Sequence, residues 1–236
     1  IVPSYTFVSS VNAYVLRGAF PRFVDIRPDT LNMDESLVEP LINERTKAIV
    51  PVHYGGVGCE MNKLVEIAQR RGVEIVEDNA HGLFGAYQRR PLGSFGAMSA
   101  LSFHETKNIT CGEGGALVLN KRSLTRRAEI IREKGTNRSQ FFRGEVDKYS
   151  WEDIGSSYVL SDLLAAFLCS QLENHEAIQS LRRQVWLRYH AALSGDAARW
   201  GVGLPVIPPD CDPAYHLYYL ILPDEAARDG LMAHLK

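Results

Sequence analysis

Lys107 lies within Leu101-Ser-Phe-His-Glu-Thr-Lys-Asn-Ile-Thr-Cys-Gly-Glu-Gly-Gly115. An apolar run delivers a hydroxyl (Ser102), an imidazole (His104) and an amine into a glycine-rich turn. An amine held in a dry, oriented pocket loses its proton and attacks a carbonyl carbon. Upstream, Val73-Glu-Ile-Val-Glu-Asp78 ends an apolar strand on a carboxylate. An amine for a Schiff base and a carboxylate for a pyridinium nitrogen are the pair that pyridoxal 5'-phosphate requires.

Other residues fall around this pair. His81 follows Asp78 by three positions and can stack on or hydrogen-bond such a ring. The Ser102 hydroxyl can take a phosphate oxygen. Phe7, in Ser4-Tyr-Thr-Phe-Val-Ser-Ser10, is placed to stack on a pyridine face. His53 and Tyr54 follow the apolar run Ala48–Val52 and are expected at the mouth of the site, as is His104 on the substrate side. Taken singly, each has an ordinary structural alternative, a turn cap, a packed histidine or a core phenylalanine; their convergence on Lys107 favours chemistry.

The elements that must carry these residues alternate. Phe20–Ile26, Ala48–Val52, Val73–Val76, Met98–Phe103 and Ala116–Leu119 read as strands. Met33–Ile42, Met61–Arg71 and Ser123–Lys134 read as helices, the last two stopped by Gly72 and Gly135. This rhythm implies an α/β fold with a mostly parallel sheet. From Ser161 a long helix runs to about His190. A proline-punctuated loop, a strand over His216–Leu222 and a helix after Asp224 follow. The expected division is a large cofactor-binding domain over 1–175 and the start of a small α+β domain over 176–236.

Of the 236 residues, 45% are hydrophobic, enough for a sizeable core, and the formal net charge is −2. That balance gives no case for nucleic acid or an anionic membrane. Cys59, Cys111, Cys169 and Cys211 lack paired metal-ligand spacing, so no metal is expected. No run reaches the length of a membrane helix and no signal peptide is visible, so a cytoplasmic protein is expected. The chain opens on Ile1 and stops inside an amphipathic segment, and reads as cut at both ends.

Pro3-Ser-Tyr-Thr-Phe-Val-Ser9, Pro51-Val-His-Tyr-Gly55, Val76-Glu-Asp78 with His81, Ser102-Phe-His with Lys107-Asn108, and Gly112-Glu-Gly-Gly115 occur in one order along the chain. Together they resemble the DegT/DnrJ/EryC1/StrS sugar aminotransferases. These are fold-type I (aspartate aminotransferase-like) pyridoxal phosphate enzymes that move an amine from glutamate to nucleotide-linked keto sugars. The resemblance implies Lys107 as the lysine that joins the cofactor aldehyde and Asp78 as the pyridinium partner. It also implies His81 in the place of the family's Gln or His, Ser102 as a phosphate ligand, and Phe7 as the stacking ring. A homodimer with sites at the subunit interface is implied for a complete chain.

The segment Ile130-Ile-Arg-Glu-Lys-Gly-Thr-Asn-Arg-Ser-Gln-Phe-Phe-Arg-Gly144, with Asp147–Trp151 and Asp153–Tyr158, is similar to one branch of that family. That branch aminates dTDP-4-dehydro-6-deoxyglucose at C4, for enterobacterial common antigen and related lipopolysaccharide glycans. Arg138 and Arg143 are then candidates for nucleotide or phosphate contact, with a salt bridge to a partner subunit as an equal alternative. Ser157 departs from the Asn that many relatives use to reach a neighbouring phosphate. The family's preceding phosphate-cradling segment and much of its small domain have no counterpart here. Three alternatives remain: a different nucleotide keto sugar, a dehydratase of the same fold, and an inactive fragment. The dehydratase branch replaces the lysine by histidine, against Lys107.

Overall fold

The computed structural model describes residues 1–236. Nine strands are present: β1 (Val2–Pro3), β2 (Phe23–Val24), β3 (Ala48–Ile49), β4 (Glu74–Asp78), β5 (Ala86–Tyr87), β6 (Arg90–Pro91), β7 (Met98–Ser102), β8 (Gly115–Leu119) and β9 (Cys211–Asp212). The seven helices are α1 (Ser9–Val15), α2 (Met61–Arg71), α3 (Thr125–Arg132), α4 (Arg138–Phe142), α5 (Asp162–Glu173), α6 (His175–Leu193) and α7 (Glu225–His234). Strands β3, β4, β7 and β8 form the central sheet in that spatial order. The β3–β4 and β4–β7 pairs are parallel and β7–β8 is antiparallel. The β1–β2 pair is also parallel, and the Ile1 carbonyl accepts from Val50 N–H beside β3. The mixed, mostly parallel α/β fold expected from the alternation is therefore present.

Helix α2 shows how sequence sets the core. Met61, Leu64, Ile67 and Ala68 recur on one face and are buried against Ile49 and Ile75 of the sheet, with Val24 and Met33 completing the cluster. Gly72 ends the helix in the left-handed region (φ 64°), so Val73 N–H turns back to the Ala68 carbonyl. A second cluster joins Phe103, Ile109 and Cys111 to Leu164, Leu168 and Ile178, and so ties the Lys107 loop to α5 and α6.

Several expected elements differ: the strand over Ala48–Val52 is confined to Ala48–Ile49 with a bridge at Val52, and the helix over Ser123–Lys134 is Thr125–Arg132 preceded by a 3₁₀ turn. Met33–Ile42 is two 3₁₀ turns, Glu35–Leu37 and Glu39–Leu41, because Pro40 lacks the N–H a continuous helix needs. The strand expected over Phe20–Ile26 is confined to Phe23–Val24. The long helix from Ser161 breaks at Asn174, whose side chain bonds the Ser170 carbonyl. His216–Leu222 forms no ladder; only Ile221 bridges, to Gly203. No helix is long and apolar enough to cross a membrane.

Candidate active site

Strand alternation sorts the carboxylates of β4. Ile75 and Glu77 are buried on the helix side, while Val76 and Asp78 belong to the opposite face. That face opens on a cavity of about 870 Å³ at the carboxyl ends of β4 and β7, where open α/β sheets collect ligands. Asp78, His81, Ser102, His104 and Lys107 line it together with Phe7 and Tyr54.

Asp78 Oδ2 accepts from Ser10 Oγ at 2.5 Å, and Ser10 in turn accepts from Thr6 Oγ1 at 2.9 Å. Its Oδ1 accepts from Ala80 N–H at 3.1 Å. The carboxylate is thus aimed by the first turn of α1 and by its own loop. Burial lowers the Lys107 amine below the ordinary lysine value, against the opposing attraction of Asp78. More of the amine is therefore neutral, and nucleophilic, than in an exposed lysine.

Burial and the nearby Lys107 charge push the His81 imidazole down to about 4, so it is neutral at pH 7. Its Nδ1 accepts from Gly55 N–H at 3.3 Å. The single ring proton is therefore on Nε2, which makes that atom a donor. Ser102 Oγ accepts from His104 N–H at 3.4 Å. The His104 Nδ1 accepts from Thr106 N–H at 3.3 Å, and its Nε2 lies 3.6 Å from the exposed Glu113 carboxylate. Phe7 stands 74% exposed at the rim. Tyr54 shares a 2.9 Å hydroxyl contact with Tyr5; burial, with Tyr5 bonded to it, raises the Tyr54 phenol well above its ordinary value.

Three candidate residues lie elsewhere. His53 is wholly buried and does not reach the mouth. Its Nδ1 accepts from Cys59 N–H, and its Nε2 donates to Glu77 Oε2 at 3.0 Å. The buried Glu77 carboxylate demands this partner, which takes His53 away from the cavity. Arg138 is outside the cavity too: its guanidinium stands over the Phe142 ring at 4.9 Å and faces Glu133 at 3.7 Å. Arg143 forks onto Glu129 at 2.9 and 3.0 Å.

Ser10, Tyr14 and Thr106 also line the cavity, beyond the residues expected from the sequence. Thr6 and Ser10, four apart at a helix start, carried a usable signal; Tyr14, one further turn along α1, followed from it. His216, which stacks on His81 at 4.1 Å, is far away in sequence and no local pattern marks it.

The model of the DegT/DnrJ/EryC1/StrS aminotransferase family matches residues 1–236. The spore coat polysaccharide biosynthesis protein SpsC of Bacillus subtilis (strain 168) is 34% identical over 230 residues, 96% of this chain and 58% of that protein. S. venezuelae DesV in complex with a ketimine intermediate superposes with a TM-score of 0.86 at 35% identity, over 99% of this chain and 60% of that one. The aminotransferase TlmJ from Streptoalloteichus hindustanus gives 0.88 at 29% identity, over 99% and 61%. The chain spans about three-fifths of the length of these relatives. With the family match running from first residue to last, the chain belongs to the DegT/DnrJ/EryC1/StrS aminotransferase family.

Proposed function

We propose that this chain is the core of a pyridoxal phosphate-dependent aminotransferase acting on a nucleotide-linked keto sugar. The observation that carries the reading is the shared cavity, in which a pKa-lowered lysine amine and a carboxylate fixed by Ser10 face the same space. The donor set fits the cofactor: an amine for the aldehyde, a carboxylate for the ring nitrogen, a Ser102 hydroxyl for a phosphate oxygen and the Phe7 ring for stacking. The cavity, about 870 Å³, has room for both a cofactor-sized ring and a substrate.

Pyridoxal phosphate, when bound, supplies an electron-withdrawing ring that stabilises negative charge on the carbon carrying the transferred amine. Asp78 would hold a proton on the ring nitrogen, with Ser10 fixing the carboxylate's orientation. Lys107 would hold the cofactor through its amine, and the same amine, when free and neutral, would serve as the base and acid that moves a proton. His81 offers a neutral Nε2–H donor. Residues 1–175 hold these groups and 176–236 belong to a smaller domain. A homodimer is the proposed assembly.

The specific substrate proposed is dTDP-4-dehydro-6-deoxyglucose with L-glutamate as donor, giving dTDP-4-amino-4,6-dideoxygalactose and 2-oxoglutarate. The resemblance of the 130–158 segment supports this choice. Incubation of the enzyme with that sugar, glutamate and cofactor, followed by NMR of the product, tests it. An axial amine at C4 is expected. Amination of a different nucleotide keto sugar, with none of this one, would overturn the substrate assignment and leave the reaction class.

A further inference from the structure

The residue after the lysine is anchored from the other end of the chain. Asn108 is 8% exposed. Its Nδ2 donates to the Ala214 carbonyl at 2.5 Å and to Gln179 Oε1 of α6 at 3.2 Å. With both amide hydrogens so placed, Oδ1 is the acceptor that meets His216 Nδ1 at 2.8 Å. His216 therefore carries its proton on Nδ1. The same ring lies against His81 with centroids 4.1 Å apart and planes 29° apart. One side chain thus touches both the lysine turn and a cavity-lining imidazole.

The strap that bears His216 is built for close approach. Ala214 N–H donates to the Gly56 carbonyl at 2.9 Å, and His216 N–H to the Gly55 carbonyl at 3.3 Å. At Gly56 a Cβ would come within 2.8 Å of the Ala214 Cβ and 2.9 Å of the His81 carbonyl, so only glycine admits the strap. Between them Tyr215 takes a left-handed φ of 51°, which turns its ring away onto Trp186 of α6. The strap is clamped on one side by α6 and on the other by the loop after β3. The charged and titratable groups around it are Lys107, Asp78, His81 and Arg182; the last donates to the His216 carbonyl at 3.3 Å.

We propose that His216 is a positioning residue for Lys107, acting through its hydrogen bond to Asn108 to hold the turn that presents the amine to the cavity. The inference rests on Lys107 being the reactive lysine of the proposed function. By this link the seating of the strap and α6 sets the lysine's burial, and with it the amine's readiness to lose a proton.

The test compares variants that separate bond from stack. His216→Asn keeps an N–H for Asn108 and loses the stacked ring; His216→Phe keeps the ring and loses the N–H. The readout is the pH midpoint of trace acetylation at Lys107 in the full chain freed of cofactor, measured on the Lys107 peptide by mass spectrometry. In His216→Phe the midpoint rises towards the ordinary lysine value of 10.5, by about half a unit or more, while His216→Asn stays with the parent. Asn108→Ala deletes the same bond from the other side and gives the same rise. The double variant with His216→Phe adds nothing further. An unchanged midpoint in His216→Phe and Asn108→Ala, with far-UV circular dichroism of the parent, overturns the inference. So does a His216→Asn shift as large as that of His216→Phe. Failure of the proposed function is distinct: the parent would then never trap pyridoxal phosphate on Lys107, whatever the midpoints.

Discussion

His53 Nε2 donates to Glu77 Oε2 at 3.0 Å, and both side chains are wholly excluded from solvent. Glu77 also accepts from the backbone N–H groups of Gly93, Phe95 and Gly96 at 2.7–2.8 Å. Burial alone would raise this carboxyl; the His53 bond and the backbone donors outweigh it and hold it below the ordinary value. The neighbour of Glu77 on β4 is Asp78, so the bond that stabilises the interior also fixes the strand end that carries the site.

Replacing Glu77 by Leu strands His53 and the backbone donors without partners. The expected cost is on the order of 3–5 kcal/mol, because what remains is a set of buried, unpaired polar groups. Urea denaturation followed by circular dichroism measures it. A loss under about 1 kcal/mol would mean that water reaches these groups.

Acid should destabilise the fold through two overlapping contributions. His81 and His216 fall from 6.5 to about 4 and about 3 in the folded chain, chiefly by burial. The unfolded chain therefore takes up protons below 6.5 that the folded chain refuses, so the contribution of these two histidines is full above 6.5 and is lost as pH falls to about 4 for His81 and about 3 for His216. Glu77, lowered from 4.5, adds a loss that sets in below 4.5, over the lower part of the histidine decline, and completes as pH falls through its folded value. Denaturation midpoints from pH 8 to 3 record both limbs, and the double variant His81→Gln with His216→Asn flattens the upper one.

Two glycines separate strain from contact. Gly72 has φ 64° and open space around its Cβ position, so Gly72→Ala costs only backbone strain, about 1 kcal/mol. Gly56 has φ 85° and adds the collision with Ala214 and the His81 carbonyl, so Gly56→Ala costs more and loosens the strap. Thermal denaturation of the pair gives the difference; equal shifts would show that the strap moves aside freely.

Asp78→Asn keeps the shape of the cavity floor but cannot hold a charged ring nitrogen. Cofactor attachment to Lys107 is expected to survive and turnover to fall by at least about 100-fold. Ser10→Ala removes one hydrogen bond to a charged group, about 1.5–3 kcal/mol at most, and leaves a smaller rate defect. Single-turnover kinetics separate attachment from proton transfer.

Much of the fold and of the candidate site is legible in the sequence. The 3.6-residue spacing of Met61, Leu64 and Ala68 with Gly72 beyond it gave α2 to the residue, because local pattern and tertiary packing agree there. Asp78, Ser102 and Lys107 were legible because strand ends and glycine-rich turns are written locally. His53 was misread: it follows a strand as Tyr54 does, but its ring is claimed by Glu77, and nothing within its own segment announces a buried carboxylate 24 residues away. The strand expected over His216–Leu222 has the right composition, yet finds one bridge only, and Tyr215 turns the chain out of extended geometry just before it. His216 itself was invisible because its partners, Asn108 and His81, lie more than 100 residues earlier.

Lys107 is the residue proposed to hold the cofactor. The chain is incubated with pyridoxal phosphate, reduced with borohydride, digested and mapped by mass spectrometry, beside Lys107→Ala. The expected result is one modified peptide, with the reduced cofactor on Lys107 and none in the variant at matched folding. Cofactor fixed on another lysine, or equally in Lys107→Ala, would contradict the account.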